Sequence, residues 1–321
     1  MKRMNVFVVI LFFWLLTACT PSEQEPIHLN IMVPIGTPAL TQTHMQSTMP
    51  SLGEHVTYEI ETVFGTDPLV AAFGSHSYDI IFAPTNLGAK LISTGVDYMF
   101  AGTVVMGNLY LASTGYDTFS LDDLEGKTIV AFGQNATPDV VLQVVLNAHQ
   151  FEISPTITYV DSVSTAQAMI LQDPETIVLM AEPALSVLGL PSNLGEDLDI
   201  IDLQEEWDQI TGNPNYPQAG VFVKSDIDID VLDAYLRALQ DSIDMANQDP
   251  SLVAQMAVEL EYGFPEAVLI TAIPRSNLAY LSAIDSQVPL ERYFQYILDW
   301  NPALIGGALP DSTFYYNGEE S

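Results

Sequence analysis

The segment that decides the fold is IMVPIGTPAL, residues 31–40. An apolar stretch that suits a β-strand runs into a turn at Gly36, and Thr37-Pro38 then opens a helical pattern. Threonine is a frequent helix N-cap and proline is favoured at the first helical position. We therefore expect a strand, a tight turn and a helix in succession, with Thr37 as the cap and Pro38 as the first helical residue.

The same arrangement recurs three times along the chain. It is found at residues 79–90 (DIIFAPTNLGAK), 128–139 (TIVAFGQNATPD) and 176–184 (TIVLMAEPA). Thr85 or Asn86 is the expected cap in the first of these, and Glu182 and Pro183 take the corresponding places in the last. Helix N-termini at the carboxyl ends of parallel strands are where ligands bind in open α/β sheets. Four junctions, two in each half, therefore favour two similar lobes that close on one cleft.

Short runs rich in β-branched residues alternate with longer helical patterns, which is typical of parallel strands joined by crossover helices. The expected strands are residues 29–33, 57–63, 79–83, 127–132, 156–160, 176–180 and 199–203. The fold class is therefore α/β, with two Rossmann-like lobes.

Two further extended runs, residues 108–113 and 219–224, are expected to form a two-strand hinge between the lobes. The first lobe is then made of residues 28–110 and 219–321, and the second lobe of residues 111–218.

The sequence after the hinge is mostly helical. Residues 232–246 carry one apolar helical face, Asp249-Pro250 opens another helix, and residues 289–300 form a third. We expect these C-terminal helices to pack on the first lobe.

The N-terminus predicts export and a lipid anchor. Lys2 and Arg3 precede an apolar run over residues 6–16, which is about half of the ~20 residues needed to span a bilayer. The following Leu-Thr-Ala-Cys closely resembles a bacterial lipoprotein signal, which implies that Cys19 carries the lipid. We expect a signal peptide over residues 1–18 and a short tether over residues 19–27.

The composition excludes several classes of protein. The chain has 8 Lys and Arg against 41 Asp and Glu, a formal net charge of −33. Such a surface is repelled by phosphate backbones and by anionic headgroups, so we expect no nucleic-acid partner and no membrane binding through a basic patch. With the single cysteine assigned to lipid, no thiol is left for a disulfide, a metal site or a catalytic nucleophile.

Catalytic and metal-binding motifs are missing from the sequence. It has no Gly-x-Ser-x-Gly elbow, no Walker loop and no His-Glu-x-x-His pattern. Asp226, Asp228 and Asp230 imitate the start of a calcium loop, but Val231 replaces the turn glycine and Arg237 replaces the bidentate glutamate. Helix capping explains these aspartates better. We therefore expect no enzyme activity, no cofactor and no metal.

The four junctions, together with LDDLEGKTI at residues 121–129, resemble the solute-binding components of ABC transporters in the nitrate, sulfonate, taurine and thiamine-pyrimidine group. The resemblance covers nearly the whole chain after Cys19. It implies the type II periplasmic-binding-protein fold, hinge closure around a small ligand and delivery to an ABC permease. The chain departs from sulfonate- and nitrate-binding members in being poor in Arg and Lys, with Lys90 as the sole basic residue of the predicted cleft loops.

Neutral hydrogen-bonding groups dominate the expected ligand site. The candidate ligand-binding residues are Gly36, Thr37, Thr85, Asn86, Tyr110, Gln134, Asn135, Thr137, Glu182 and Tyr216. Tyr110 and Tyr216 would either cover a planar ligand from the hinge side or serve as half-buried hinge residues. Glu182 would either accept from a ligand amine or amidine, or favour its helix N-terminus.

The expected ligand is a pyrimidine or another nitrogen heterocycle first, a sulfonate second and another small polar nutrient third. Two other functions stay open. One is a pyrimidine-forming enzyme of the thiamine type, which shares this fold. The other is a lipoprotein that senses a ligand or docks to a partner without feeding a permease.

Overall fold

Residues 26–213 and 215–318 are described in the computed structural model of the chain. The predicted signal peptide, Cys19 and most of the predicted tether lie outside these residues. Within them the chain forms eleven strands in two sheets. They are β1 (Ile27–Pro34), β2 (Val56–Val63), β3 (Ile80–Pro84), β4 (Tyr98–Met106), β5 (Leu109–Thr114), β6 (Thr128–Phe132), β7 (Thr156–Val160), β8 (Ile177–Ala181), β9 (Leu198–Asp202), β10 (Pro217–Lys224) and β11 (Leu278–Ser282).

Eleven α-helices cover the sheets of the described chain. They are α1 (Thr37–Thr48), α2 (Asp67–Ser75), α3 (Thr85–Ile92), α4 (Thr137–Ala148), α5 (Val163–Gln172), α6 (Ala184–Leu188), α7 (Leu203–Thr211), α8 (Ile229–Gln248), α9 (Pro250–Glu259), α10 (Glu266–Arg275) and α11 (Ala283–Trp300). None of them is both long and apolar enough to cross a membrane.

The first sheet has six strands in the order β11-β4-β10-β3-β1-β2, and the second has five in the order β7-β6-β8-β5-β9. We call the parts of the molecule built on these sheets the first lobe and the second lobe. The central strands β3 and β8 are continuous apolar runs with four buried residues each, because helices cover both of their faces.

The sheets are mixed, whereas the sequence predicted parallel strands. β1 pairs in parallel with β2 and β3, and β6 with β7 and β8. The two segments predicted as hinge runs become strands β5 and β10, and each is antiparallel to both of its neighbours. Each strand begins where the chain enters a lobe, so the described residues of the two connections between lobes are 107 and 108 in the first and 212, 213, 215 and 216 in the second.

The seven predicted strands are all present, with ends that differ by at most two residues. β4 and β11 were not predicted. The predicted caps are wrong by one or two residues. Gly36, Pro84, Ala136 and Pro183 precede the first helical residues, and no side chain caps α1, α3, α4 or α6. Asp228 does cap α8, by accepting from the backbone of Val231, so the capping interpretation of the acidic run is confirmed.

The C-terminal helices pack on the first lobe, as predicted. The buried face of α8 includes Leu232, Tyr235, Leu239 and Ile243, and it packs against α1. α9 also packs against α1, while α11 lies against β4 and reaches α4 of the second lobe. This last contact brings a helix of the first lobe to the boundary between the two lobes.

Candidate functional site between the lobes

The four strand–helix junctions found in the sequence meet in pairs across the lobes. The junction after β1 meets the one after β8, and the junction after β3 meets the one after β6. Each pair joins the amino-terminal end of a first-lobe helix to a loop or helix start of the second lobe. The arrangement places the predicted loops on the two walls of one cleft, which is closed in this structure.

The first pair is held by a chain of hydrogen bonds that are buried or partly buried. The Thr37 hydroxyl donates to the backbone oxygen of Glu182 at 3.0 Å, and it accepts from Asn108 Nδ2 at 2.6 Å. Asn108 Oδ1 accepts in turn from Gln218 Nε2 at 2.7 Å. The chain therefore runs from β10 through the connection between lobes to α1, and from there to the loop after β8.

The second pair joins α3 to α4. The Thr137 hydroxyl donates to Asn86 Oδ1 at 3.1 Å, and both residues are buried. Thr85, next to Asn86, donates instead to the backbone oxygen of Pro217 at 2.8 Å within the first lobe. Of these predicted site residues, Asn86 and Thr137 therefore face each other across the cleft, while Thr85 fixes α3 to β10.

The Glu182 carboxylate is buried in this cleft. Its Oε2 accepts from the backbone N–H of Ser186 at 3.1 Å, and its Oε1 lies 3.9 Å from Arg275 Nη1. Oε1 has no hydrogen-bond partner among the described residues. Burial raises the pKa of Glu182, and Ser186 and the charge of Arg275 offset only part of that rise.

Arg275 and Tyr110 close the same side of the cleft. Arg275 ends α10 of the first lobe, and its backbone oxygen accepts from the Tyr110 hydroxyl at 2.9 Å. Tyr110 is 3% exposed, so in this closed form its ring is buried and does not face an open cleft. Burial is the main cause that raises the pKa of Tyr110, and the charges of Asp202 and Glu182 raise it further.

Tyr216 belongs to a buried aromatic cluster that spans the lobes. Its hydroxyl donates to Gln204 Oε1 at 2.9 Å, and its ring stacks on Tyr293 of α11 with centroids 5.6 Å apart. Trp207 of α7 packs edge-on against both rings. Trp207 Nε1 and the Tyr293 hydroxyl have no hydrogen-bond partner among the described residues.

The remaining predicted residues lie at the mouth of the site. Gln134 and Asn135 are exposed in the loop before α4. Asn135 is in the left-handed region at φ 58, and its N–H donates to Asp139 Oδ2 at 2.8 Å. Gly36 is partly exposed at φ 113, a conformation that favours glycine. Lys90 is exposed in the last turn of α3, away from the junctions that begin the helices.

Sequence reasoning missed several groups that the structure brings to this site. Asn108 was the first residue of a predicted hinge run, and Ser186 lies one helical turn after Glu182. Their closeness in sequence to these predicted features is a signal that could have identified both. Arg275 and Tyr293 come from C-terminal helices about a hundred residues away. Their approach depends on helix packing that no local pattern reveals.

No group of three or more His, Cys, Asp or Glu side chains in residues 26–213 and 215–318 is arranged to hold a metal ion. The polar groups described above are instead hydroxyls, amides, the carboxylates of Glu182 and Asp139, and the guanidinium of Arg275. This set suits the recognition of a small organic molecule through hydrogen bonds.

The two-lobed α/β fold is shared with solved structures of the periplasmic-binding-protein type. An ABC transporter protein from Parabacteroides distasonis is similar over 91% of this chain and 99% of its own, with 22% identity and a TM-score of 0.78. The alkanesulfonate-binding protein SsuA from Xanthomonas axonopodis pv. citri, bound to MOPS, matches over 90% and 96%, with 16% identity and a TM-score of 0.60.

A ligand-binding component of an ABC-type import system from Staphylococcus aureus, with zinc bound, is also similar. The match covers 91% of this chain and 97% of that chain, with 15% identity and a TM-score of 0.63. The resemblance to ABC transporter binding components is thus confirmed at the level of the fold. No curated protein sequence matches the chain.

A family model adds a more particular assignment. The model described as Menaquinone biosynthesis matches residues 107–270, just over half of the chain. The protein belongs to this family. The matched region contains all of the second lobe's strands, both connections between lobes, and helices α8 and α9.

Proposed function

We propose that this protein is an extracytoplasmic solute-binding protein of an ABC importer, which captures a small polar ligand between its lobes and delivers it to a permease. The observation that carries the proposal is the pairing of the four strand–helix junctions across the cleft through Thr37 with Glu182 and Asn86 with Thr137. These bonds exist only when the lobes are together. Ligand contacts added at the same junctions would stabilise the closed form.

The chemistry of the cleft supports a nitrogen heterocycle as the first candidate ligand and a sulfonate as the second. Amide and hydroxyl groups can both donate and accept hydrogen bonds, and the buried Glu182 carboxylate can accept from a ligand N–H. Arg275 is the basic group nearest to that carboxylate and would hold an anionic ligand instead. The similar Xanthomonas protein is named for binding alkanesulfonates.

The proposal is tested by isothermal titration and thermal shift with the chain lacking residues 1–18 and carrying Cys19→Ala. The panel contains pyrimidines, thiamine, taurine, alkylsulfonates and nitrate. A ligand at 100 times its dissociation constant adds about 2.7 kcal/mol, a shift of several degrees. Asn86→Ala should abolish the shift, and the exposed control Thr94→Ala should retain it. A shift that survives Asn86→Ala would place the ligand elsewhere.

The proposal includes a lipid anchor at Cys19. We expect the full chain, expressed in a bacterium with lipoprotein processing, to fractionate with membranes and to incorporate labelled fatty acid. Cys19→Ala should release it from the membrane. If the Cys19→Ala variant, which carries no lipid, still fractionates with membranes, the proposed anchor is wrong. The proposal of ligand binding would not be affected.

A second candidate is an enzyme that acts on a small molecule in the same cleft. Two observations favour it: the family is described as Menaquinone biosynthesis, and burial raises the pKa of Glu182, which is typical of a proton-transfer group. Mass spectrometry of a bound ligand after long incubation separates the two functions. Unchanged ligand supports binding and delivery, whereas conversion that is lost in Glu182→Gln supports catalysis.

A further inference from the structure

Residues of both lobes cover the side chain of Glu182. The residue belongs to the second lobe, and its side chain has no exposed surface in the closed form. From the first lobe, the Thr37 hydroxyl donates to its backbone oxygen, and Arg275 at the end of α10 lies opposite its carboxylate. Helix α10 also packs on α6, which follows Glu182. Opening of the lobes therefore removes this cover and brings water to the carboxylate.

The closed form compensates the charge of Glu182 only in part. The backbone N–H of Ser186 donates to Oε2 at 3.1 Å, but it belongs to the same lobe and stays in place when the lobes separate. Arg275 Nη1 lies 3.9 Å from Oε1, which is longer than a hydrogen bond, and the Arg275 side chain is 43% exposed. A cation that is so exposed is screened by water, so it offsets little of the cost of burying a carboxylate.

The other groups around Glu182 do not supply the missing positive charge. The start of α1 presents Thr37, which is uncharged. Tyr110 of β5 lies beside Glu182, and burial raises its pKa further above the ordinary value of 10.0, so it stays neutral in mildly acidic and neutral solution. Asp202, at the end of β9, also acts on Tyr110 and is itself negative. Burial therefore outweighs Arg275 and raises the pKa of Glu182 in the closed form.

We propose that closure of the lobes takes up one proton at Glu182, so that mildly acidic solution favours the closed form and a rise in pH favours the open form. In the open form water solvates the carboxylate, which then titrates near its ordinary pKa of 4.5. The closed form holds the proton to a higher pH. The ratio of closed to open molecules therefore falls as the pH rises above 4.5, by at most about tenfold per pH unit for one proton.

This coupling goes beyond ligand capture, because it requires movement of the lobes but no particular ligand. Any ligand that binds only to the closed form inherits the same pH dependence, since its apparent affinity is scaled by the fraction of closed molecules. Such a ligand is held more tightly in acid and released more readily as the pH rises.

Energy transfer between two dyes measures closure in the free protein. The chain lacking residues 1–18 and carrying Cys19→Ala has no cysteine, so Thr66→Cys and Ser164→Cys give one labelled site in each lobe. Both positions are exposed, and they follow β2 and β7, which run parallel to the strands that end at the cleft. Between pH about 5 and about 8, we expect the population to shift from the shorter to the longer distance. Glu182→Gln, which is neutral at every pH, should keep the shorter distance throughout.

Glu206→Gln is the matched control. Burial also raises the pKa of Glu206, but the charged groups that act on it, His149, Glu205 and Asp202, all belong to the second lobe. This variant should keep the pH dependence of the wild type. The titration of histidines is common to all of the variants, so it cancels in the comparison. A pH dependence that persists in Glu182→Gln, or closure that increases with pH in the wild type, would overturn the inference.

Arg275→Met tests the same coupling with Glu182 intact. Without the guanidinium, the charged carboxylate costs more to bury, so the change in distance between pH about 5 and about 8 should be larger than in the wild type. A smaller change would overturn the inference. An unchanging distance in every variant would also overturn it, whereas the proposed function is decided separately by the ligand titrations.

Discussion

Thr37→Val separates closure of the lobes from folding of the protein. The valine has the same shape but lacks the hydroxyl that donates to Glu182 and accepts from Asn108. In the closed form, two buried polar groups are then left unpaired, at a combined cost of about 2 to 4 kcal/mol. In an open form water forms hydrogen bonds with both groups, so the substitution destabilises the closed form relative to the open form by this whole amount.

The apparent dissociation constant of a ligand that requires closure should therefore rise about 30-fold to several hundred-fold. Small-angle scattering should show a larger radius of gyration for the free variant. Thr43→Val is the matched control, because the Thr43 hydroxyl is also buried in α1 but bonds to Ala39 within the helix at 3.2 Å. It should lower stability with little change in affinity. Equal affinities of Thr37→Val and wild type would refute the role of Thr37 in closure.

Three further predictions concern stability. The pKa of Glu182 is raised above its ordinary value of 4.5 in the folded state. Its contribution to stability is therefore fully present below that pH and is lost as the pH rises above it. In urea unfolding, the stability of Glu182→Gln relative to the wild type should therefore increase as the pH is raised from 4.5. A difference that does not change with pH would contradict this. Gly88→Ala places a Cβ 2.0 Å from the Phe222 ring and should lower the unfolding free energy by about 1 to 3 kcal/mol. Gly74→Ala is the control, because no atom lies within 4 Å of the new Cβ, and it should stabilise α2. Tyr159→Phe removes a 2.5 Å hydrogen bond to the carboxylate that holds the loop before α4, and should lower the unfolding free energy by about 1 kcal/mol in the same assay; no loss would show that the loop is held otherwise.

The sequence was sufficient to predict the strands that lead into the cleft. Each of these strands is a short apolar run followed by a turn and a Thr-Pro, Thr-Asn or Glu-Pro pair, and this signal is local. The two strands that were not predicted lack it. β11 (Leu278–Ser282) is an edge strand with one buried residue, and β4 (Tyr98–Met106) leads directly into the second lobe without a following helix.

The caps were misassigned for a physical reason that concerns the site. Thr37 and Thr137 are of a residue type that often caps helices, but their hydroxyls form hydrogen bonds across the lobes instead of with their own helices. A local pattern cannot anticipate a competing partner that is distant in sequence. The same limit hid Arg275, because only the packing of α10 brings it to Glu182.

The two connections between the lobes touch each other. The N–H of Gly107 donates to Asn215 Oδ1 at 2.7 Å, and a side chain at Gly107 would lie 2.3 Å from the ring of Tyr216. Beyond these few residues the chain is fixed in β5 and β10, each bonded on both sides. Two connections that lie side by side define one axis of rotation between the lobes. We expect the lobes to rotate about that axis, so that each closure brings the four junctions back to the same partners.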